Sequence, residues 1–347
     1  MAYSTGSIPA WDKRTQAQMD ALLQREGIRR DKNLDYSCGV VDDDGTLVAV
    51  GSSFHNTLRC LAVDSAHRGE GLMNQVVSHL LERQTERGYS HVFLYTKTGN
   101  DRIFADLGFY EIARVDGSLV FMENRRDGFS RYLRSLAKTK REGRCAAVVM
   151  NANPFTLGHR YLVEKAAGEN DFVHLFLLSE EAGPIPFAVR KRLVREGTAD
   201  LPNVIVHDSG PYIISSATFP SYFLRDEDAA ITAHAALDLA VFGRIAPALG
   251  ITVRYVGEEK SSHVTALYNE TMKARLPDMG IGCVEVPRLA NAAGEIVSAS
   301  SVRQAIQDGN LDAVADMLPE TTLRYFQSDE AAPVTAAIRA MEEARHY

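Results

Sequence analysis

Residues 148–161 read VVMNANPFTLGHRY. An apolar run ends at Met150, and a polar turn leads into a segment with helical periodicity. Pro154 fixes the backbone of that turn, and Thr156 has the side chain of a helix N-cap. Gly158 leaves the backbone bare, so a large ligand can lie against it. His159 then projects from the first helical turn, where free amide N–H groups and the helix dipole favour an anion. An imidazole there can donate to a phosphate oxygen and stabilise charge that develops as pyrophosphate leaves.

The surrounding pattern fits a strand-to-helix turn in an α/β domain. Downstream of residue 144, apolar runs at AAVVMN, VHLFLLS, NVIVHDS, TVRYVG and CVEVPRL alternate with the helical stretches GHRYLVEKAA, AVRKRLVREGTA, AAITAHAALDLAVFGRIAPAL and ALYNETMKARLP. Such alternation predicts a doubly wound parallel sheet covered on both faces, with ligands at the carboxyl edge near a switch in strand order. A second turn with the same physics occurs at 296–306, IVSASSVRQAI. Ser300 reads as its N-cap, Ser298 adds a hydroxyl, and Arg303, one turn in, has a guanidinium suited to phosphate. Arg190, behind Phe187, is a further candidate for a phosphate or substrate contact. The alternative is that it joins Lys191, Arg192 and Arg195 on a solvated face. The aromatic run at 218–223, TFPSYF, is expected to pack as a small satellite of the core.

The first 125 residues read differently. The helical stretch AQMDALLQREGI precedes DYSCGVVDDDGTLVAVGSSF, whose alternation around Asp44-Gly45 predicts a hairpin. LRCLAVD, HVFLYT, FYEIARV and SLVFME supply further strands, so a mixed sheet is expected. Helix LMNQVVSHLLERQTERG follows the turn Arg68-Gly69-Glu70-Gly71, which can offer successive amides to a pyrophosphate. Residues 126–143 are polar and strongly charged and read as a helical linker; 144–347 form the second domain.

With 347 residues, two domains are the natural expectation. The formal charge of −7 and the lack of a long basic tract argue against nucleic acid as the main partner. No run approaches the roughly 18 apolar residues of a membrane span, and the first residues lack an apolar signal core, so a cytoplasmic location is expected. The four cysteines form no C-x-x-C pair and no metal site is signalled.

Taken together, Thr156-x-Gly158-His159 and VSASSVR resemble the two signatures of the HxGH nucleotidyltransferase superfamily, with Thr in the first His position. Its members attack the α-phosphate of ATP and expel pyrophosphate. MNANPFTLGHRYLVEKAA, TFPSYFLRDE, YVGEE followed by VTALYNETM, and SASSVR narrow the resemblance to the citrate lyase ligases over nearly the whole chain. LRCLAVDSAHRGEGL with FADLGFYEI is similar to the GNAT acetyltransferases, although Met73 stands where that pattern has a small residue. The resemblance implies an enzyme using ATP with Mg²⁺ and acetate, and a thiol on the coenzyme A-like arm of the citrate lyase acyl carrier subunit. It implies catalytic roles for His159 and Arg303. ATP contacts fall to Asn151, Asn153, Thr156, Gly158, Gly257, Glu258, Ser298 and Ser300, and contacts to the arm fall to Arg68, Gly69 and Gly71. A general base in the first domain is left open among Asp64, Tyr110 and Glu123. Two other readings stay open: an acetate ligase serving another carrier or a tRNA base, and a coenzyme adenylyltransferase fused to an acetyltransferase.

Overall fold

The computed structural model describes residues 2–181, 183–213, 219, 227–259 and 262–341. Of the aromatic run at 218–223 only Phe219 is among them, and it is buried; the rest lies outside the described residues. Two compact units are present. One comprises Met1–Arg131 with Pro220–Ala240, the other Tyr132–Phe219 with Val241–Tyr347. Both are α/β, the first with a mixed sheet and the second with a parallel one, in line with the sequence pattern.

In the first unit the chain runs β1 (Ser4–Ser7), α1 (Lys13–Arg25), β2 (Tyr36–Val41), β3 (Leu47–Phe54), β4 (Thr57–Val63), α2 (Leu72–Glu86), β5 (Phe93–Lys97), α3 (Asp101–Asp106), β6 (Tyr110–Val115) and β7 (Leu119–Glu123). The sheet order is β1-β2-β3-β4-β5-β7-β6. Strand β1 has no apolar alternation and carries no sequence signal; it is held by antiparallel pairing with β2.

One local defect shapes this sheet. In β4, Arg59 pairs with Ser52 and Ala62 with Val50, so two residues of β4 oppose Gly51. Cys60 lies within this bulge at φ 51°. The extra residue reverses the facing of the strand. Leu58 packs with Val76, Val77 and Leu80 of α2, whereas Cys60 and Ala62 pack with Met19, Leu22 and Leu23 of α1. Beyond the bulge β4 also leaves its neighbour. Its parallel pairing with β5 is confined to Thr57–Phe93 and Leu58–Leu94, although both strands continue.

Helix α4 (Gly128–Ala137) follows. The second unit then runs β8 (Cys145–Met150), α5 (Leu157–Glu169), β9 (Phe172–Leu177), α6 (Phe187–Gly197), β10 (Val204–Asp208), α7 (Glu227–Leu249), β11 (Ile251–Gly257), α8 (His263–Arg275), β12 (Gly282–Val286), α9 (Ala299–Gln307), α10 (Glu320–Phe326) and α11 (Ala332–Arg339). The strands are parallel in the order β10-β9-β8-β11-β12. The chain builds outward from β8 to β10 and then returns to the other side of β8, which puts the switch point between β8 and β11. Val148, Leu175, Val163, Tyr255 and Val302 meet in one core. Helix α7 is long and apolar enough to cross a membrane by composition, yet 67% of its apolar window is buried within the protein.

The buried pair His174 and His207 in adjacent strands is linked Nδ1 to Nε2 at 2.9 Å. Burial pushes both down to about 4, with His207, then Arg141, adding to the shift at His174 and Asp208 opposing it at His207. The unfolded chain binds protons on these residues below about 6.5 while the folded chain does not. Their contribution is therefore complete above pH 6.5 and is lost as pH falls toward 4. Urea midpoints measured from pH 7 to pH 4 are expected to decline across that window. A His174→Leu/His207→Leu double variant is expected to decline less steeply; equal slopes would remove the pair as the cause.

Candidate functional site

The loop from β8 to α5 is built to a fixed shape. Ala152 sits at φ 52°, in the left-handed region, and Asn153–Pro154 is a cis peptide. A non-glycine residue held there costs roughly 1–2 kcal/mol, so the surroundings must enforce it. Arg190 does much of this. It is 1% exposed, and its guanidinium donates to the carbonyls of Asn151 at 2.8 Å, Leu178 at 2.8 Å, Ile185 at 3.1 Å and Glu180, and to Asn151 Oδ1 at 2.9 Å. Arg190 is thus committed to tying together the loops after β8 and β9, and neither the solvated face nor a phosphate contact describes it.

Thr156 caps α5 as its sequence suggests, accepting from the His159 amide at 3.4 Å. The return contact is made by the imidazole. The Thr156 backbone N–H donates to His159 Nδ1 at 3.1 Å, and the Thr156 hydroxyl lies 2.9 Å from the same nitrogen. A nitrogen that accepts from an amide carries no proton, so the neutral ring holds its proton on Nε2. Burial and the Arg288 and Arg303 cations push the imidazole pKa down to about 4. At neutral pH His159 is an uncharged N–H donor.

The second turn meets the first. A Cβ on Gly158 would lie 3.1 Å from the Val297 carbonyl oxygen, so the missing side chain serves a close backbone approach. The N-cap of α9 is Ser298, not Ser300: its hydroxyl accepts from Ser301 N at 3.1 Å. Three hydroxyls in sequence look alike, but only Ser298 has the extended backbone of a cap. Ser300 Oγ instead accepts from Arg303 Nη2 at 3.2 Å. Arg303, 2% exposed, donates from Nη1 to the Asn153 carbonyl at 2.6 Å. The imidazole turn and the arginine helix therefore share one location at the carboxyl edge of β8.

Gly257 and Glu258 lie at the end of β11, across the switch point. Asn269 Nδ2 holds the Gly257 carbonyl at 2.9 Å, and Glu258 N donates to Val286 O at 2.8 Å. A cleft of about 760 Å³ opens beside them, lined by Glu258, Pro287, Arg288, Ser298, Ser301 and Val314 among others. Arg288 is a site residue that the sequence reading missed. It donates to the Glu258 carbonyl at 2.9 Å and pairs with Glu259. Its place just beyond the end of β12, at the carboxyl edge, was the available signal.

In the first unit, the divergence of β4 from β5 opens a cleft of about 640 Å³, lined by Leu61, Val63, Tyr95, Lys97, Arg68, Gly69 and Gly71 among others. Gly71 caps α2 at φ 75° and Gly69 lies at φ 86°. Met73 also lines the cleft. Arg68 pairs with Glu26 at 2.7 Å on an otherwise exposed side chain. Of the three candidate bases, Glu123 is occupied by Phe129 N at 2.7 Å and His91 Nε2 at 2.6 Å. Asp64 caps the turn at Ala66 and pairs with Arg25. Tyr110 is 41% exposed.

Comparison with known proteins agrees with both halves. Residues 145–326 match the citrate lyase ligase C-terminal domain, and residues 7–111 match the acetyltransferase (GNAT) family. The citrate (pro-3S)-lyase ligase of Escherichia coli K12 is 38% identical over 91% of this chain and 92% of its own. The ligase of the same name from Klebsiella pneumoniae is 38% identical, covering 91% and 93%. That from Haemophilus influenzae is 35% identical, covering 89% and 94%. With relatives so similar over nearly their full length, and with both imidazole and guanidinium turns at one strand edge, the chain belongs to the citrate lyase ligase family.

Proposed function

We propose that this protein activates acetate with ATP and delivers the acetyl group to the thiol of the coenzyme A-like arm on the citrate lyase acyl carrier subunit. An acetate oxygen attacks the α-phosphorus of ATP; the new O–P bond forms as the bond to the β-phosphate oxygen breaks, and pyrophosphate leaves. The arm's sulfur then attacks the acetyl carbonyl, the thioester forms, AMP departs, and the thiol proton is released to solvent. Neither step needs a nucleophile from the enzyme.

The observation that carries this reading is the meeting of the His159 and Arg303 turns, joined by the 2.6 Å contact from Arg303 to the Asn153 carbonyl. A neutral Nε2–H and a cation on one edge, each beside a helix N-terminus, suit an α-phosphate whose negative charge grows in the transition state. Backbone groups at Thr156 and Gly158 and the hydroxyls of Ser298 and Ser300 complete the phosphate contacts. Asn151, Gly257 and Glu258 border the rest of the nucleotide. Among the described residues no group of three or more His, Cys, Asp or Glu side chains is placed to hold a metal ion. The phosphate-facing groups here are cations and hydroxyls, so Mg²⁺ fits as an ion carried on the triphosphate, supplying charge neutralisation of the leaving pyrophosphate.

The cleft of the first unit is assigned to the carrier's arm, with the amides at Gly69 and Gly71 and the Arg68 cation facing its pyrophosphate. A cytoplasmic setting fits these soluble substrates.

Exchange of labelled pyrophosphate into ATP tests the reading. Exchange is expected with ATP, Mg²⁺ and acetate and to vanish when acetate is left out. Exchange that requires a phosphopantetheine or nucleotide in place of acetate would instead favour a coenzyme adenylyltransferase.

A further inference from the structure

We propose that the side-chain carboxamide of Asn153 grips the carboxylate of the acid substrate and helps restrict it to a small acid; this rests on the acid-activating reading above. Asn153 is 4% exposed. Its main-chain carbonyl is held by Arg303, but neither Nδ2 nor Oδ1 has a hydrogen-bond partner among the described residues. A buried polar group left unpaired costs roughly 1–3 kcal/mol, and native folds rarely keep one without a use. Here the same residue belongs to the loop that leads to His159.

Its direction separates the acid from the nucleotide. The cleft beside Glu258, Arg288 and Ser298 draws its walls from the β11, β12 and α9 side of the switch point. The carboxamide points to the other flank, against Gly183 in the segment after β9. A Cβ built on Gly183 would fall 1.8 Å from Asn153 Nδ2. An anion bonded to Nδ2–H there lies on the β9 flank of β8, at the residue whose carbonyl Arg303 holds. One carboxylate oxygen accepts from Nδ2, and the other is left to attack phosphorus. The tight approach of Gly183 leaves little room for a longer chain.

The test compares Asn153→Leu and Gly183→Ala with the natural protein in acetate-dependent exchange. Leucine keeps the volume of the side chain without its N–H. Alanine at 183 displaces the carboxamide while leaving Asn153 in place. Both are expected to raise the KM for acetate roughly 10- to 100-fold, as for a lost hydrogen bond to a charged group, with the KM for ATP within threefold of its original value. Asn153→Leu removes a group with no partner in the free protein, so its melting temperature is expected to stay level or rise. A raised KM for ATP with that for acetate unchanged would reassign Asn153 to the nucleotide and overturn the proposal. Unchanged constants, or a marked fall in melting temperature for Asn153→Leu, would overturn it as well. Exchange by the natural protein without acetate would instead sink the acid-activating reading itself, before any variant is made.

Discussion

His159→Ala is expected to lower acetate-dependent pyrophosphate exchange by about 10²–10³-fold, the usual loss on removing one preorganised donor to a developing oxyanion. The loss should fall on kcat more than on the KM for ATP, because the donor matters most when charge builds on the α-phosphate. Folding should survive, since the Thr156 hydroxyl still accepts from the residue 159 amide. His159→Gln, which can present an N–H at a similar reach, is expected to recover part of the activity. The pKa of about 4, set by burial and by Arg288 and Arg303, adds a second check. With a neutral donor, exchange should show no ionisation of this group between pH 5.5 and 8. A limb near pH 6.5 that disappears in His159→Gln would mean that the protonated ring is the working form, contrary to the arrangement described.

Arg303→Ala is expected to be at least as damaging, at about 10³-fold or more in kcat/KM. Two things are lost together: a cation at the proposed phosphate site, and the 2.6 Å tie that holds the Asn153 carbonyl in the strained loop. Stability should fall too, because that carbonyl is left buried without its donor. Arg303→Lys separates the contributions. It keeps the charge but cannot reach both the Asn153 carbonyl and Ser300 Oγ with a rigid fork, so recovery should be slight. Full activity in the lysine variant would show that charge alone suffices and that the loop needs no brace.

Much of this was legible in the residues. The β8–α5 turn gave its cap at Thr156 correctly because a cap acts within a few residues of itself. The alternation of strands and helices likewise gave the parallel sheet. What failed was whatever depends on distant partners. Arg190 sits in a run of cations that looks solvated, and only the tertiary fold turns this one inward onto carbonyls of two loops. Gly158 reads as a place for ligand, yet its nearest neighbour is a carbonyl of Val297. Ser298 and Ser300 differ only in backbone angle, which the letters do not carry. The family matches part near the cut at residue 144, while the described residues 227–240 group with the first unit, a pairing that no local pattern announces. The bulge at Cys60 that opens the first cleft has no marker in its own side chain.

The cap of α5 has a consequence for how this site ages and acidifies. A single lone pair, on Nδ1 of the imidazole, both accepts from the free Thr156 amide and fixes which nitrogen keeps its proton. Anything that occupies it (a proton, an alkylating reagent, a stray soft metal) releases the Thr156 amide and disarms the donor in the same event. Inactivation and release of that amide should then share one time course, so amide exchange at Thr156 becomes a direct reporter of how many molecules remain competent.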